Sequence, residues 1–196
     1  MGEDWICRIL ALSVLAFFYG IYFAKALSQK RRGIRTRQLG QRREKGLHRV
    51  EVLLSVATFA IVPAQLVSLA LDWNGMPFPG RAAGFALALL GDVIFLFSVL
   101  CMKDSWRAGI PKEGKTHLVT AGIYAVSRNP AFLGFDLMYL GVLLLYCNPL
   151  TGALSAFAIV MLHLQILQEE TYMTATFGEE YRHYRAKVCR YLGRRR

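Results

Sequence analysis

The sequence predicts an all-α integral membrane protein of five transmembrane helices, with a helix 4–5 hairpin and a cytoplasmic amphipathic C-terminal helix. Three observations lead there. Apolar residues fill 55% of the 196 positions and charged ones 19%, whereas a soluble domain has roughly 45–50% and about 25%. The apolar residues gather into five segments, 5–27, 50–71, 82–102, 131–147 and 149–168. Each approaches the ~20 residues that cross a ~30 Å hydrocarbon core, the fourth only barely. Finally, the connections between them alternate between rich and poor in cations.

The first segment follows Glu3 and Asp4 instead of a basic leader and has no clear small-residue cleavage site, so it is expected to stay attached. Between the first two segments, Lys30, Arg31, Arg32, Arg35, Arg37, Arg42, Arg43, Lys45 and Arg49 face Glu44 alone, which marks a cytoplasmic loop. The next connection, DWNGMPFPGR, is nearly neutral and turn-forming. The third is basic again, with Lys103, Arg107, Lys112, Lys115 and Arg128 against Asp104 and Glu113. The last two segments meet at the uncharged Asn148-Pro149, with Pro suited to a first helical turn, and the tail ends in three arginines. The alternation predicts an outside N-terminus and a cytoplasmic C-terminus, in the plasma membrane of a prokaryote. The net charge of +11 is then a matter of orientation and anionic lipid headgroups, and nucleic acid is not needed to explain it. Four cysteines without ligand spacing argue against structural zinc or a disulfide framework. Residues 1–102 read as three helices with a basic loop, and residues 103–196 as the functional half.

Asp92, Asp136 and His163 fall within apolar segments, where an ionisable group costs at least ~2.5–3.5 kcal/mol and so turns inward. Hydrogen-bonded glue between helices and a proton or ion path are the two readings, and the lack of an inverted repeat weakens the second. More unusual chemistry lies around the last two segments. Residues 115–132, KTHLVTAGIYAVSRNPAF, end on Asn129 as a helix N-cap and Pro130 at the first turn. The fifth segment leaves its apolar phase as Gln165, Gln168, Glu169 and Glu170. Beyond it a short amphipathic helix carries Tyr181, Tyr184, Val188 and Tyr191 at helical spacing. Carboxylates beside aromatic rings suit a cationic ligand.

These residues resemble the integral-membrane methyltransferases that include isoprenylcysteine carboxyl methyltransferase and the phospholipid methyltransferases. The likeness covers residues 103–192: Leu118-Val119-Thr120-Ala121-Gly122-Ile123-Tyr124, Arg128-Asn129-Pro130, Phe132-Leu133-Gly134, Asn148-Pro149, Glu169-Glu170 and FGEEYRHYRAKVCR, in that order. The resemblance implies S-adenosylmethionine bound at the cytoplasmic ends of helices four and five, without a dinucleotide-binding domain. It would be lined by Thr116, His117, Leu118, Val119, Tyr124, Asn129, Pro130, Ala131 and Phe132, with Glu169 at its charged end and Glu170 and the C-terminal helix closing the site. A lipid-like or amphipathic acceptor would enter from the bilayer and receive the methyl group by in-line displacement. Arg128 would orient an anionic acceptor group, and Glu170 or His163 would take a proton from an amine.

Two positions depart from the pattern. Asn129 stands where the family has His, which keeps a hydrogen bond but no proton acceptor. Gln165 stands where the prenylcysteine enzymes have a substrate-binding Arg, which disfavours a carboxylate unless Arg128 or Arg107 replaces it. The alternatives are an NADPH-dependent reductase of the sterol-reductase type and a non-enzymatic transporter or interaction protein.

Overall fold

The computed structural model describes residues 2–39, 45–109 and 117–195. Five helices follow in chain order: α1 (Gly2–Arg31), α2 (Lys45–Ala70), α3 (Phe78–Met102), α4 (Pro130–Leu145) and α5 (Pro149–Lys187), with 3-10 turns at Lys103–Ser105 and Gly122–Ala125. No strand occurs among the described residues. Local chemistry sets the ends. Lys30 and Arg31 occupy the last turn of α1, cations at the negative end of the helix dipole. A proline sits in the first turn of α3, α4 and α5, where its missing N–H costs nothing.

Among the described residues, four helices are long and apolar enough to cross a membrane, Asp4–Arg31, His48–Ala70, Phe78–Ser105 and Pro149–Lys187. The chain is a multi-pass membrane protein. α4 is shorter: its 16 residues rise ~24 Å, less than a ~30 Å hydrocarbon core. The span expected over residues 131–147 therefore ends early, at Leu145, and Tyr146 has already left helical geometry.

The C-terminal helix also differs from its expected form. α5 runs on from Gln168 to Lys187 with a single break at Gly178 (φ 52, ψ −124), a conformation that suits glycine. Tyr181, Tyr184 and Val188 do pack together, against Leu118, Met173 and Phe177. Tyr191 does not join them. The helix has ended at Lys187, Val188 is extended, and Val188 bridges to Arg194.

Packing makes an open arc. α2 lies on α5, α5 on α4, α4 on α3 and α3 on α1, while α1 and α2, consecutive in the chain, scarcely touch. The α3–α4 seam is the tightest. A Cβ added at Gly84 would lie 2.6 Å from the Gly141 carbonyl oxygen, and one at Gly91 2.7 Å from that of Gly134. Small residues let helix backbones meet this way in a membrane, where dispersion replaces the hydrophobic drive.

At the hairpin end Asn148 and Arg81 tie the helices together. Asn148 accepts from the Thr151 N–H at 3.0 Å and donates to Ser68 Oγ and the Trp73 carbonyl, both at 3.0 Å. Buried Arg81 donates to Asp4 at 2.9 Å and to the Leu145 carbonyl at 3.1 Å, with its guanidinium over the Tyr146 ring. The opposite, basic end is built differently.

Candidate functional site

Residues 117–129 lead into α4 at the basic end. Gly122 takes φ 63, and a Cβ there would meet Cys101 Sγ at 2.7 Å, so the turn that opens the Gly122–Ala125 segment requires glycine. The turn buries Tyr124, and burial pushes its hydroxyl above the ordinary tyrosine range. The C-terminal segment then straps this stretch down. Tyr184 donates its hydroxyl to the Tyr124 carbonyl at 2.6 Å, the Arg128 N–H donates to the Cys189 carbonyl at 3.1 Å, and the Gly193 N–H to that of Val126 at 2.7 Å.

Behind the strap lies a buried ion cluster. Glu170 Oε1 takes Arg128 Nη2 at 3.0 Å, Asn129 Nδ2 at 3.1 Å and Arg190 Nε at 3.2 Å, and Oε2 takes Arg190 Nη2 at 3.0 Å. Asn129 is the N-cap residue of α4, but its side chain makes no cap; it goes to Glu170 and to the Arg190 carbonyl at 3.2 Å. The hydrogen bond to Glu170 holds the Arg190 guanidinium above its ordinary pKa. Two guanidiniums against one carboxylate leave a positive excess. Arg128, with its side chain 2% exposed, has Nε and Nη1 buried without a partner. An unpaired buried donor costs about 1–3 kcal/mol, more for a charged group, so these two nitrogens suit an anionic ligand group.

Glu169 has the opposite character. It accepts from Gln165 Nε2 at 3.2 Å and makes no ion pair among the described residues. It places a carboxyl group one helical turn from Gln165. Gln165 in turn reaches a cavity of about 1220 Å3, which Ala131 and Phe132 also line. Its walls also include Tyr19, Tyr22 and Phe23 of α1, Leu54, Phe59 and Pro63 of α2, Phe135 of α4 and Trp106, with Lys30, Arg35, Arg37 and Arg107 at the basic end. Because α1 and α2 scarcely touch, the cavity lies behind the opening between them.

Of the residues expected at a cofactor site, Tyr124, Arg128, Asn129, Pro130 and Glu170 are buried together around the start of α4, and Leu118 packs under Tyr181 and Tyr184. Ala131, Phe132 and Gln165 face the cavity, Val119 is half-buried and His117 is exposed. Thr116 lies outside the described residues. Glu170, expected as a base for an amine acceptor, has both its oxygens engaged by cations. Arg128 likewise faces Glu170 and is absent from the cavity lining. The intramembrane trio has the following partners among the described residues. Asp92 is fully buried with neither oxygen bonded, Asp136 has one oxygen unbonded, and His163 pairs its Nδ1 with the Tyr191 hydroxyl at 2.6 Å.

Residues 80–180 match the phospholipid methyltransferase family. The chain belongs to that family. The match includes α3, α4 and α5 as far as the turn after Gly178, and leaves out α1, α2 and the C-terminal strap. A relative in Oryza sativa subsp. indica, a probable protein-S-isoprenylcysteine O-methyltransferase, is 31% identical over 110 residues, 54% of this chain and 56% of that one. The protein-S-isoprenylcysteine O-methyltransferase of Schizosaccharomyces pombe is 39% identical over 79 residues, 39% of this chain and 34% of that one. That of Rattus norvegicus is 28% identical over 110 residues, 55% and 39%. The chain spans about half the length of the plant relatives it matches and less of the other two. This phospholipid methyltransferase family region thus supplies only part of the cavity. Sequence reasoning missed Arg190 as a partner of Glu170 and missed the α1 and α2 walls. Their one visible signal is the aromatic density Phe17, Phe18, Tyr19, Tyr22 and Phe23.

Proposed function

We propose that this chain is a membrane-embedded, S-adenosylmethionine-dependent methyltransferase acting on a lipid-like acceptor. The observation that carries the reading is the cavity of about 1220 Å3 that shares Ala131, Phe132 and Gln165 with the segment matched by the family and is otherwise walled largely by apolar side chains. It exceeds the ~300–1,000 Å3 of ordinary small-ligand pockets. The names of the relatives, O-methyltransferases of a prenylated cysteine, support an acceptor with an apolar chain.

The residues fit the methyl donor, a zwitterion with a further positive charge on sulfur. Bound there, it would supply an electrophilic methyl group. Arg128 would hold a carboxylate through Nε and Nη1, the two donors left without a partner. Glu169, without an ion pair, would face the positive end. Leu118, Tyr181, Tyr184 and Val188 exclude water from the strap side. The protein's task is then chiefly alignment, which can lower a barrier by ~7–11 kcal/mol. A carboxylate or thiolate acceptor needs no base. An amine would have to lose a proton, and the base role drawn from the sequence passes from Glu170 to Glu169, the carboxylate without a cation. The cation-rich end is assigned to the cytoplasmic side by its charge. Nothing in the family match favours a reductase or a transporter.

Thermal unfolding of the detergent-purified protein tests this. S-adenosylhomocysteine at 100 Kd should stabilise it by ~2.7 kcal/mol, and NADPH should not. An unmoved Tm with S-adenosylhomocysteine would sink the cofactor assignment.

A further inference from the structure

The strap that covers the ion cluster leaves its outer side open. Residues 181–196 hold seven cations and no acid. Arg190 is engaged by Glu170, and Arg182 pairs with Glu179. Arg185, Lys187, Arg194 and Arg195 are exposed and make no ion pair among the described residues. Backbone order holds these four together. Cys189 N–H donates to the Gly193 carbonyl and Arg195 N–H to that of Lys187, both at 2.9 Å, so the chain turns back on itself between Val188 and Arg194. Gly193 takes φ 112 there, a backbone that suits glycine. The turn sets Arg194 and Arg195 alongside Lys187.

Tyr191 fixes the depth of this turn. Its hydroxyl meets His163 Nδ1 at 2.6 Å, and the two rings stack. His163 lies inside the apolar run 149–168, six residues before Glu169, or ~9 Å along the helix. The strap therefore returns from the end of α5 to the apolar part of the same helix. There it presents Leu192, 69% exposed, and the hydrogen bond from Gly193 N–H to the Val126 carbonyl sets it beside Val126, 40% exposed. Exposed apolar side chains among cations without partners, beside an apolar span, are the pattern of a segment that lies in the membrane interface. Cations placed there attract an anionic leaflet, and salt screens the attraction. All of this surface except Val126 lies beyond residue 180, outside the family match.

We propose that the strap docks on an anionic leaflet: Leu192 and Val126 enter the lipid, Arg185, Lys187, Arg194 and Arg195 hold the anionic headgroups, and the docked strap keeps Arg190 on Glu170. The docking is independent of any reading of the site, whereas its link to donor binding rests on the methyltransferase reading above. That link follows from chain order. Arg190 and Tyr191 directly precede Leu192, so lipid that binds only the docked strap stabilises the cluster beside the donor site. Anionic lipid then raises donor affinity.

The test places the full chain in nanodiscs of mixed phosphatidylcholine and phosphatidylglycerol, with equal amounts of brominated chains carried on one lipid or the other. The signal is the tryptophan fluorescence that Leu192→Trp adds to that of the wild type. Brominated phosphatidylglycerol should quench this signal at least about twofold more than brominated phosphatidylcholine. High salt, or Lys187→Gln with Arg194→Gln and Arg195→Gln, should make the two equal. Equal quenching at low salt without those three substitutions overturns the anionic assignment. Quenching by neither lipid means that the surface faces water, open to a soluble acidic partner, and overturns the proposal outright. If Leu192→Trp does not fold, hydrogen exchange of the 188–195 amides in the wild type decides instead: exchange should be slower with phosphatidylglycerol than in phosphatidylcholine alone, and identical exchange overturns the docking. For the link to the site, S-adenosylhomocysteine should bind about threefold more tightly in the anionic nanodiscs, and the triple variant should lose that gain. Equal affinity in both membranes overturns the link. Lipid-selective quenching with no S-adenosylhomocysteine binding in either membrane marks failure of the methyltransferase reading and leaves the docking intact.

Discussion

Between α3 and α4 the backbones meet glycine to glycine, whereas α1 and α2 stand apart around a cavity. The two regions use the same apolar alphabet for opposite ends. At the seam, Gly84, Gly91, Gly134 and Gly141 remove side chains so that two helices become one rigid wall. At the opening, Tyr22, Phe23 and Phe59 keep theirs and line the cavity instead. Rigidity sits where the family match lies, and room sits largely where it does not. On the proposed reading, the wall inside the family match would position the donor, and the side outside it would select the acceptor.

Substitutions can break that division. The largest stability loss is expected from Glu170→Leu, which leaves Arg128 buried without its carboxylate. Removing one partner of a buried pair costs about 3–5 kcal/mol, so unfolding should shift markedly and S-adenosylhomocysteine binding should vanish with it. Gly141→Ala comes next. Its methyl group would enter the α3–α4 contact at 2.6 Å from the Gly84 carbonyl oxygen, and overpacking costs about 1–3 kcal/mol, read as a lower Tm in detergent. Glu169→Gln should leave the Tm of the ligand-free protein nearly unchanged and lower S-adenosylhomocysteine affinity about tenfold, or ~1.4 kcal/mol, in a calorimetric titration. The smallest stability effect belongs to Phe59→Leu on the cavity wall. It should stay within about 1.5 kcal/mol while acceptor turnover changes. A seam variant that altered acceptor choice without loss of Tm, or a cavity variant that unfolded the protein, would erase the distinction.

Much of the wall was legible in the sequence. Pro130 and Pro149 mark real helix starts, and Asn148 caps its hairpin as its type suggests. The two carboxylates were not separable by reading. Glu169 and Glu170 are adjacent, so ~100° of helical rotation sends one to Gln165 and the other to two arginines, and only the packing of the strap decides which. Tyr191 fitted the helical stripe by spacing alone and was misplaced because the helix stops at Lys187. The cavity was hidden for a deeper reason. It depends on two consecutive helices failing to pack, and hydropathy, which records burial in lipid as readily as burial in protein, carries no trace of that.

α4 is ~24 Å long and begins at Pro130, directly beside the Arg128–Glu170–Arg190 cluster. A bilayer with a ~30 Å core meets a hydrophobic mismatch at so short a helix, and local thinning to match it would cost a fraction of a kcal/mol per Å. Lipid thinned there would form a dimple, with headgroups drawn inward toward the polar cluster. An amphiphile diffusing in that leaflet would meet the protein where its own head is already lowered to the depth of the chemistry, and a thicker, stiffer membrane would oppose that approach.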